Sequence, residues 1–396
     1  MCGSRARAAR AGGREEVRAY QTMTRWLLVM AERLGELGVT RVVMEATSDD
    51  WKGVDYLLEA HGFEVWLVNA RDVKHLPGRP KTDRLDAVWL AKVAERQMLR
   101  PSFVPPPAIR RLRDLTRYRA DLVGVRTAEK QRVEKLLEDA QIKLSVGASD
   151  IFGVSGRDML AALIAGERDP KVLAQLARGR MRAKRSVLQE AFTGHFSDHH
   201  AFLLGKMLTR VDMLDGDIAE LDRKLEELIA PFAQAVERLD EITGVGRTAA
   251  KVIIAEIGVD MGRFPTAGHL ASWAGLCPGN NESAGKHFSG KTRKGSRWLR
   301  TTLSQAANAA ARSKGTYLAA HYARIKGRRG HKRAIVAVAH SILVIAWHLL
   351  TRNQPYTDLG ADYFLERQAS EAYRNRLVRQ LERMGHKVTL EPAQVA

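Results

Sequence analysis

The sequence predicts an α/β domain at the N-terminus, a long helical arm, and a mostly helical C-terminal domain. The α/β class rests on a strand–helix–strand pattern: a β-branched run at 39–47, a helix over about 51–61, and a second strand at 63–69. This order predicts a parallel strand pair joined by a helical crossover. The arm is predicted by a helical pattern from Ala108 to about Leu144, and the C-terminal domain by further helices up to about residue 351.

These patterns, with a Pro-rich boundary at 100–107, divide the chain into five segments. The first is rich in Arg, Ala and Gly and is expected to be a disordered leader. The second opens with a predicted helix over 16–38, whose apolar residues recur at helical spacing from Leu27 onward. The predicted segments are the leader (1–15), the α/β domain (16–105), the arm (106–236), the C-terminal domain (237–351) and a charged tail (352–396).

The arm contains a heptad pattern. Its apolar residues recur at alternating steps of three and four: Val211, Leu214, Ile218, Leu221, Leu225 and Leu228. This spacing is typical of a coiled-coil seam. Two partners for the seam remain open, namely the helix at 108–144 of the same chain and a second copy of the chain.

The charge of the chain indicates a polyanionic partner. Its 396 residues include 64 Lys and Arg against 45 Asp and Glu, a formal net charge of +19. Basic side chains release counterions when they bind phosphates, so nucleic acid is favoured. Charge alone does not separate DNA from RNA or from an anionic membrane, and a basic solvated surface is the alternative.

Cysteine usage and hydropathy predict a cytoplasmic protein outside the membrane. Cys2 and Cys277 are far apart and show no metal-binding spacing, so neither a disulfide framework nor a zinc site is indicated. The longest apolar segment, 334–350, is too short for a spanning helix and carries His340 and His348. It is predicted to be a buried helix of the C-terminal domain.

Three carboxylates form a candidate metal site. Glu45 stands at the end of a predicted buried strand, where an unpaired charge is costly. Asp83 and Asp86 lie three residues apart at the start of a predicted helix over 83–99, so they share one helix face. Hard oxygen ligands suit Mg²⁺, and paired Mg²⁺ ions support phosphoryl transfer. The alternative is structural, with Asp83 as a helix N-cap and Asp86 as a favourable first-turn charge.

The segment 41–93 resembles the RuvC-like (RNase H-like) domain of the DEDD transposases of bacterial insertion sequences. The family motif E-A-T matches Glu45-Ala46-Thr47, and K-T-D-x-x-D-A matches 81–87. The resemblance implies that Glu45, Asp83 and Asp86 are the second, third and fourth acids of a catalytic tetrad that binds Mg²⁺.

The first acid of the tetrad has no counterpart in this sequence. The family begins with a strand resembling V-G-I-D-x-x-K, and the Arg-rich leader does not match it. The first strand is therefore expected to be missing and the chain to cleave DNA poorly. Equal recombination by this chain and by an upstream-extended one would contradict that expectation.

A glycine-containing turn near the start of the C-terminal domain predicts a helix-hairpin-helix-like element. The run 242–246 reads I-T-G-V-G and is followed by a helical segment. Gly244 and Gly246 permit a tight turn that brings backbone N–H groups near a phosphate. The alternative is a simple turn between two helices.

The segment 264–300 resembles the second domain of the same family and includes its A-G-L-x-P block at 274–278. The resemblance places the family's catalytic serine on Ser283, with Ser272 and Ser289 as alternatives. Beyond it lies a cationic cluster around Trp298 that is predicted to bind nucleic-acid phosphates: Lys286, Lys291, Arg293, Lys294, Arg297 and Arg300.

Taken over residues 16–350, the resemblance implies a transposase that cuts and rejoins DNA. It implies Mg²⁺ at the acids, a transient serine–phosphate bond, a bridge RNA that pairs with donor and target DNA, and a homo-oligomer (a dimer or a tetramer). Two alternatives remain. A RuvC-type junction nuclease would use water and need no serine. A catalytically impaired nucleic-acid-binding form would bind without cleaving.

Overall fold

The computed structural model describes residues 5–9, 16–46, 50–74, 78, 82–279, 281–364 and 371–390. The chain divides between Pro105 and Pro106 into an N-terminal unit and a C-terminal unit.

The N-terminal unit opens with an antiparallel strand pair. Strand β1 (Arg5–Ala9) pairs with β2 (Val17–Gln21). The expectation of a fully disordered leader is therefore wrong for 5–9. The helix predicted over 16–38 is α1 (Thr24–Glu36), which begins eight residues later than predicted. The helical spacing of apolar residues begins only at Leu27, and the first residues of the predicted helix, Val17–Gln21, instead form an extended strand paired with β1.

The predicted strand–helix–strand pattern is confirmed. Strand β3 (Arg41–Ala46) is followed by helix α2 (Trp51–Ala60) and strand β4 (Glu64–Asn69). The two strands are parallel and in register from Arg41 opposite Glu64 to Ala46 opposite Asn69. A parallel pair needs a crossover, and α2 supplies it.

Helices cover both faces of the β3–β4 pair. On one face Val42 and Met44 pack with α1 and α2 around Leu27, Leu34 and Leu58. On the other face Val43 packs with a second cluster that includes Val93. This second face carries α3 (Ala70–Lys74) and α4 (Asp83–Glu95). Alternating side chains of one strand therefore serve two helical layers.

The α/β class of this unit is confirmed, whereas the RuvC-like fold stays a prediction. Among the described residues, its four strands form two separate pairs. The segment at the predicted Pro-rich boundary lies along the edge of β4, where Ser102 donates its backbone N–H to the carbonyl of Leu67 at 2.6 Å and Pro101 bridges to Val68.

The arm is a pair of long antiparallel helices, α5 (Pro107–Asp139) and α10 (Asp198–Ile229). Their direction follows from the ion pairs between them: Arg119 with Asp222 and Arg126 with Asp215, each at 2.5 Å. The seam residues Leu214 and Ile218 pack against Leu122 of α5. The structure thus shows the intrachain pairing of the heptad seam; a coiled coil between chains stays a prediction.

The far end of the arm is a small helical bundle with its own core. It consists of α6 (Leu144–Gly147), α7 (Val154–Ile164), α8 (Pro170–Gln175), a 3-10 helix (Gly179–Lys184) and α9 (Arg185–Ala191). Met159, Leu160 and Leu188 are fully buried in this core. The bundle packs on the ends of α5 and α10, which fixes where the two long helices turn back on each other.

Within the described ranges, the rest of the C-terminal unit forms helices and one strand hairpin. Its helices are α11 (Ala233–Asp240), α12 (Arg247–Ile257), α13 (Ala267–Trp273), α14 (Arg297–Ala310), α15 (Tyr317–Arg329), α16 (His331–Arg352) and α17 (Glu371–Arg383), with 3-10 turns at Ala230–Phe232 and Met261–Arg263. The hairpin consists of β5 (Asn281–Ser283) and β6 (Lys286–Ser289).

Helix α16 is the central helix of this domain. The prediction that this segment is too short to span a membrane is wrong, because the helix extends beyond 334–350 and its 22 residues are long and apolar enough to cross one. Its apolar side chains, among them Val338, Ile342 and Leu343, are buried against α13, α14 and α15. This confirms the buried helix predicted over 334–350. Burial lowers the pKa of His340 and of His348, so both rings favour the neutral form.

The predicted tail differs from the structure in its first part. Asp358 accepts hydrogen bonds from the backbone N–H of Tyr317, the hydroxyl of Tyr356 and the hydroxyl of Thr243. Burial alone would raise the pKa of Asp358, but these hydrogen bonds and one from the N–H of Gly360 hold it below its usual range. These hydrogen bonds attach the segment around Asp358 to the C-terminal domain. No pattern in the sequence indicates them.

Candidate functional site

Glu45 lies on the α4 side of the parallel strand pair. It is the fifth residue of β3, it is half-buried, and its backbone pairs with Val68 of β4. Side chains alternate along a strand, so Glu45 shares its face with Val43, which packs in the cluster that contains α4. The strand therefore directs Glu45 to the layer that also carries Asp83 and Asp86.

Asp83 and Asp86 occupy the first turn of α4. The N-cap is Thr82, whose hydroxyl accepts a hydrogen bond from the backbone N–H of Leu85 at 3.4 Å. Capping therefore does not account for Asp83, which is exposed, while Asp86 is half-buried. Both acids remain favourable first-turn charges at the positive end of the helix.

The chemistry of these three acids fits a hard divalent cation, since all the donors are carboxylate oxygens. Among the described residues, however, no three acidic, histidine or cysteine side chains stand close enough to hold one metal ion together. The structure thus places Glu45, Asp83 and Asp86 in one layer without gathering them around one point. Thr47 and Lys81 of the two motifs lie outside the described residues.

Ser283 is the last residue of β5 and directly precedes a two-residue turn. The turn residues Ala284 and Gly285 have φ of 49° and 74°, which is the geometry of a type I′ hairpin. The backbone of Ser283 pairs with Lys286 across the turn. Of the alternatives, Ser289 ends β6 at the other end of the hairpin, and Ser272 is exposed on α13. Ser272 lies among apolar residues in the sequence, but it is not part of the core.

We call the β5–β6 hairpin the serine hairpin, and we call the segments before β5 (274–279) and after β6 (290–295) its first and second legs. Three glycines lie where the two legs approach each other, and we call them the glycine clasp: Gly275, Gly279 and Gly295. The backbone N–H of Gly279 donates to the carbonyl of Lys291 at 3.2 Å. A Cβ on Gly295 would lie 2.1 Å from the carbonyl oxygen of Ala274. A Cβ on Gly275 would lie 2.6 Å from the carbonyl oxygen of Arg293. The A-G-L-x-P block thus forms one leg, and its glycine permits the close approach of the other.

Gly295→Ala is expected to destabilise the C-terminal unit. The added methyl group meets backbone rather than a flexible side chain, so a leg of the hairpin must shift. Overpacking of this kind costs about 1–3 kcal/mol, occasionally more. Thermal unfolding of the purified variant measures the loss. The matched control is Gly290→Ala in the same leg, where a Cβ would meet nothing within 4 Å; an equal loss in both variants would contradict the close contact.

The two glycines of the helix-hairpin-helix-like turn have different surroundings. Gly244 has φ of 85°, and a Cβ there would lie 2.5 Å from the carbonyl oxygen of Ala306 on α14. Close packing therefore explains Gly244 structurally. Gly246 is the N-cap of α12, has open space around its missing Cβ, and forms no side-chain cap. Contact of either glycine with a phosphate stays a prediction. Of the two, only Gly246 has open space beside it.

A groove of about 750 Å³ opens in front of Gly246. It is bounded by α5, the start of α12 and the first half of α14. Its charged and polar lining includes Arg119, Arg247, Arg297, Asp121, Thr248, Thr301, Thr302 and Gln305. Each of these arginines has an acidic partner: Arg119 with Asp222, Arg247 with Glu226, and Arg297 with Asp121. A polyanion entering the groove would compete with those carboxylates.

The predicted cationic cluster divides into exposed and anchored members. Lys286, Lys291, Arg293, Lys294 and Arg297 are exposed. Arg300 is half-buried and donates to the carbonyl of Arg293 at 3.0 Å and to the hydroxyl of Thr292 at 3.3 Å. Arg300 therefore holds the second hairpin leg in place, whereas the side chains of the other five members reach the solvent.

Glu256, a buried acid in the interior of the C-terminal unit, was not among the residues predicted from the sequence. Its carboxylate accepts two hydrogen bonds from Arg117, at 2.7 and 3.0 Å, and one from the hydroxyl of Ser296 at 2.9 Å. The signal was present in the sequence, since Glu256 is the only charged residue in the apolar run 252–257. Like Glu45, Glu256 is an acid in an apolar run, where an unpaired charge is costly and a partner is expected.

Two family profiles match this chain, one over the segment that contains the three acids and one over the segment that contains Ser283. A DEDD transposase profile of the IS110 type matches residues 16–142, and a profile described as "Transposase IS116/IS110/IS902 family" matches 236–323. The first range includes the three acids and the second includes Ser283. The chain belongs to the IS110 family of DEDD transposases.

Similar proteins are also insertion-sequence products. The transposase is 28% identical over 305 residues to the transposase for insertion sequence element IS1111A of Coxiella burnetii, covering 74% of this chain and 73% of the relative. It is 25% identical to the IS116 44.8 kDa protein of Streptomyces clavuligerus (76% and 80% covered). It is 27% identical to the IS900 42 kDa protein of Mycobacterium paratuberculosis (76% and 80% covered). Membership implies an enzyme that acts on DNA by cutting and rejoining.

Proposed function

We propose that this transposase cuts and rejoins DNA at the ends of an insertion sequence and at a target site, guided by a bridge RNA. Glu45, Asp83 and Asp86 hold Mg²⁺, and Ser283 is the nucleophile. The observation that carries the proposal is the separate match of the two family profiles, one spanning the acids and the other spanning the serine.

The chemical step is a transesterification. The hydroxyl oxygen of Ser283 attacks phosphorus, a P–O ester bond of the DNA breaks, and the displaced DNA oxygen ends as a hydroxyl carrying the serine proton. A second DNA hydroxyl then attacks the serine–phosphate bond and restores the serine. Mg²⁺ supplies charge stabilisation for the phosphate oxygens when it is bound. Because each exchange conserves the number of ester bonds, rejoining needs no external energy source.

The residues of the C-terminal unit have two tasks in this scheme. The tight turn at Ala284 and Gly285 supports a serine presented at the tip of a hairpin, and the exposed cations Lys286, Lys291 and Lys294 neutralise the phosphates of the strand being cut. The groove beside Gly246 takes a further stretch of nucleic acid, with Arg247 and Arg297 exchanging their carboxylate partners for phosphates.

A homo-oligomer is part of the proposal. Two large apolar side chains on α10 are exposed, Phe202 at 64% and Met213 at 65%, and their spacing of three helical turns puts them on the same face of the helix. Exposed apolar patches on a protein commonly mark interaction surfaces. A second copy of the chain that covers this side of the arm would remove them from water, and the mass of the purified transposase measured by light scattering tests the point.

The RNA-guided function is tested by recombination in cells. A plasmid carrying insertion-sequence ends is combined with the transposase, with or without the element's own non-coding RNA, and new DNA junctions are sequenced. Junctions that require the RNA are expected. Junctions that form equally well without RNA would contradict guidance, and cleavage of branched DNA without any rejoining would favour a junction nuclease.

A further inference from the structure

Glu256 is the centre of a buried polar network in the C-terminal unit. It is 0% exposed and lies one residue before the end of α12. A buried carboxylate is tolerated only when charged or hydrogen-bonding partners satisfy it. Here Arg117 binds both carboxylate oxygens, and the hydroxyl of Ser296 donates to one of them. The hydrogen bonds of the carboxylate therefore fix the positions of the Arg117 guanidinium and the Ser296 hydroxyl.

The partners of Glu256 come from distant parts of the sequence. Arg117 lies on the arm helix α5, and Ser296 directly follows the second leg of the serine hairpin. Arg113, one turn before Arg117, donates to the backbone carbonyls of Ala255 and Glu256 at 3.1 and 2.5 Å. Arg113 and Arg117 thus hold the end of α12 against the arm. The side chain of Glu256 in turn binds Ser296 at the base of the hairpin.

Ser296 has a double role at this junction. It is the N-cap of α14, because its hydroxyl oxygen accepts a hydrogen bond from the backbone N–H of Leu299 at 3.4 Å. The same hydroxyl donates to Glu256. Its neighbour Gly295 is seated against Ala274 in the glycine clasp. The exit of the hairpin is consequently fixed from two sides, by backbone packing and by the buried carboxylate.

Trp298 restricts the arginine further. The guanidinium carbon of Arg117 lies 4.1 Å from the centre of the Trp298 ring, and that of Arg297 lies 4.3 Å from it. Contacts of arginine with an aromatic face add to the hydrogen bonds of a fork geometry. Glu256 and Trp298 thus both hold the guanidinium group of Arg117. A rotation at the start of α14 would break either the Arg117–Trp298 contact or the Arg117–Glu256 ion pair.

We propose that Glu256 is a positioning residue for strand transfer: it ties the base of the serine hairpin to the arm, so that Ser283 meets the scissile phosphate in one orientation. This inference rests on the proposed role of Ser283. Glu256 does not touch the reacting atoms. Its effect passes through Ser296 and the leg 291–295 to the tip of the hairpin.

The test compares Ser296→Ala and Glu256→Gln with the control Ser304→Ala. Ser304 lies within α14, the helix that Ser296 caps, and its hydroxyl donates to the carbonyl of Arg300 in the same helix. Glu256→Gln keeps the volume of the side chain and removes the charge that Arg117 requires. Three properties are measured on the full-length protein: amide hydrogen exchange, affinity for DNA of the insertion-sequence end, and the rate of the covalent protein–DNA bond.

Faster exchange is expected at 291–296 in Ser296→Ala and Glu256→Gln, and unchanged exchange in Ser304→Ala. The rate of covalent bond formation is expected to fall about 10²-fold, since a displacement near 1 Å costs that much. The Kd for DNA is expected to stay within a few-fold, which separates misplacement of the hairpin from general loss of structure.

Wild-type exchange at 291–296 in both variants would overturn the proposal, and so would a covalent bond formed at the wild-type rate. The exchange measurement needs no turnover, so it decides the role of Glu256 in the fold even if the DNA reaction is slow. If Ser283→Ala retains the covalent bond, the nucleophile is wrong, and faster exchange at 291–296 would still show that Glu256 ties this leg to the arm.

Discussion

Ser283→Ala is expected to abolish covalent attachment to DNA and strand transfer. Removing a nucleophilic hydroxyl leaves only binding and charge stabilisation, and comparable serine replacements in other enzymes lower the rate by roughly 10⁴-fold or more. The measurement is the yield of a denaturation-resistant protein–DNA complex with an end-labelled DNA substrate. Binding of the same DNA, measured by gel shift, is expected to stay close to wild type.

The controls for this prediction are the two other serines that the sequence left open. Ser289→Ala changes a residue at the opposite end of the same hairpin, and Ser272→Ala changes an exposed residue of α13. Both are expected to retain the covalent complex. Loss of the complex in Ser289→Ala together with its retention in Ser283→Ala would move the nucleophile to Ser289. Strand cleavage in all three variants would favour water as the nucleophile, as in a junction nuclease.

Asp86→Asn is expected to lower DNA cleavage by about 10³-fold. A metal ion contributes several kcal/mol of charge stabilisation in phosphoryl transfer, and each 1.36 kcal/mol corresponds to about tenfold in rate. Asparagine keeps the size of the side chain and its place in the first turn of α4 but removes the negative charge that attracts Mg²⁺. Cleavage is measured over a series of Mg²⁺ concentrations, and Glu45→Gln is expected to behave in the same way.

Asp50→Asn is the matched control for the acids. Asp50 is an exposed acid next to the start of α2, outside the face that carries Glu45. Cleavage by this variant is expected to equal that of wild type at every Mg²⁺ concentration. Cleavage that persists in the presence of a strong chelator, or equal losses in Asp50→Asn and Asp86→Asn, would remove the acids from the proposed metal site.

Local patterns were sufficient for the individual elements around the acids. The β-branched run and its crossover helix predicted β3, α2 and β4, because burial on both faces selects such residues wherever the pair forms. The start of α4 was predictable because Thr82 followed by Asp83 and Asp86 is a favourable helix opening. The pairing of Arg5–Ala9 with Val17–Gln21 was not predicted, because Arg5–Ala9 consists only of Arg and Ala, which favour helices, and because its partner strand lies elsewhere in the sequence.

The same division applies to the serine hairpin. The family motifs pointed to Ser283 and to the A-G-L-x-P block at 274–278, since a motif is recognisable from neighbouring residues alone. They did not indicate that Gly244 packs against α14, that Arg300 anchors Thr292 and Arg293, or that Glu256 holds Ser296. Each of these contacts joins residues that only the folded chain brings together.

By itself the sequence determined the family of this transposase, the α/β class of its first unit, the long helices of its arm, and the identity of its candidate acids and serine. These follow from local composition, periodicity and motif, which are properties of neighbours along the chain. Only the tertiary structure decided that the heptad seam is buried within one chain and that a buried carboxylate connects the arm to the base of the hairpin. Arg117 and Glu256 lie 139 residues apart, and they attract each other strongly only after folding has brought them together and buried Glu256, where water screens the charges less.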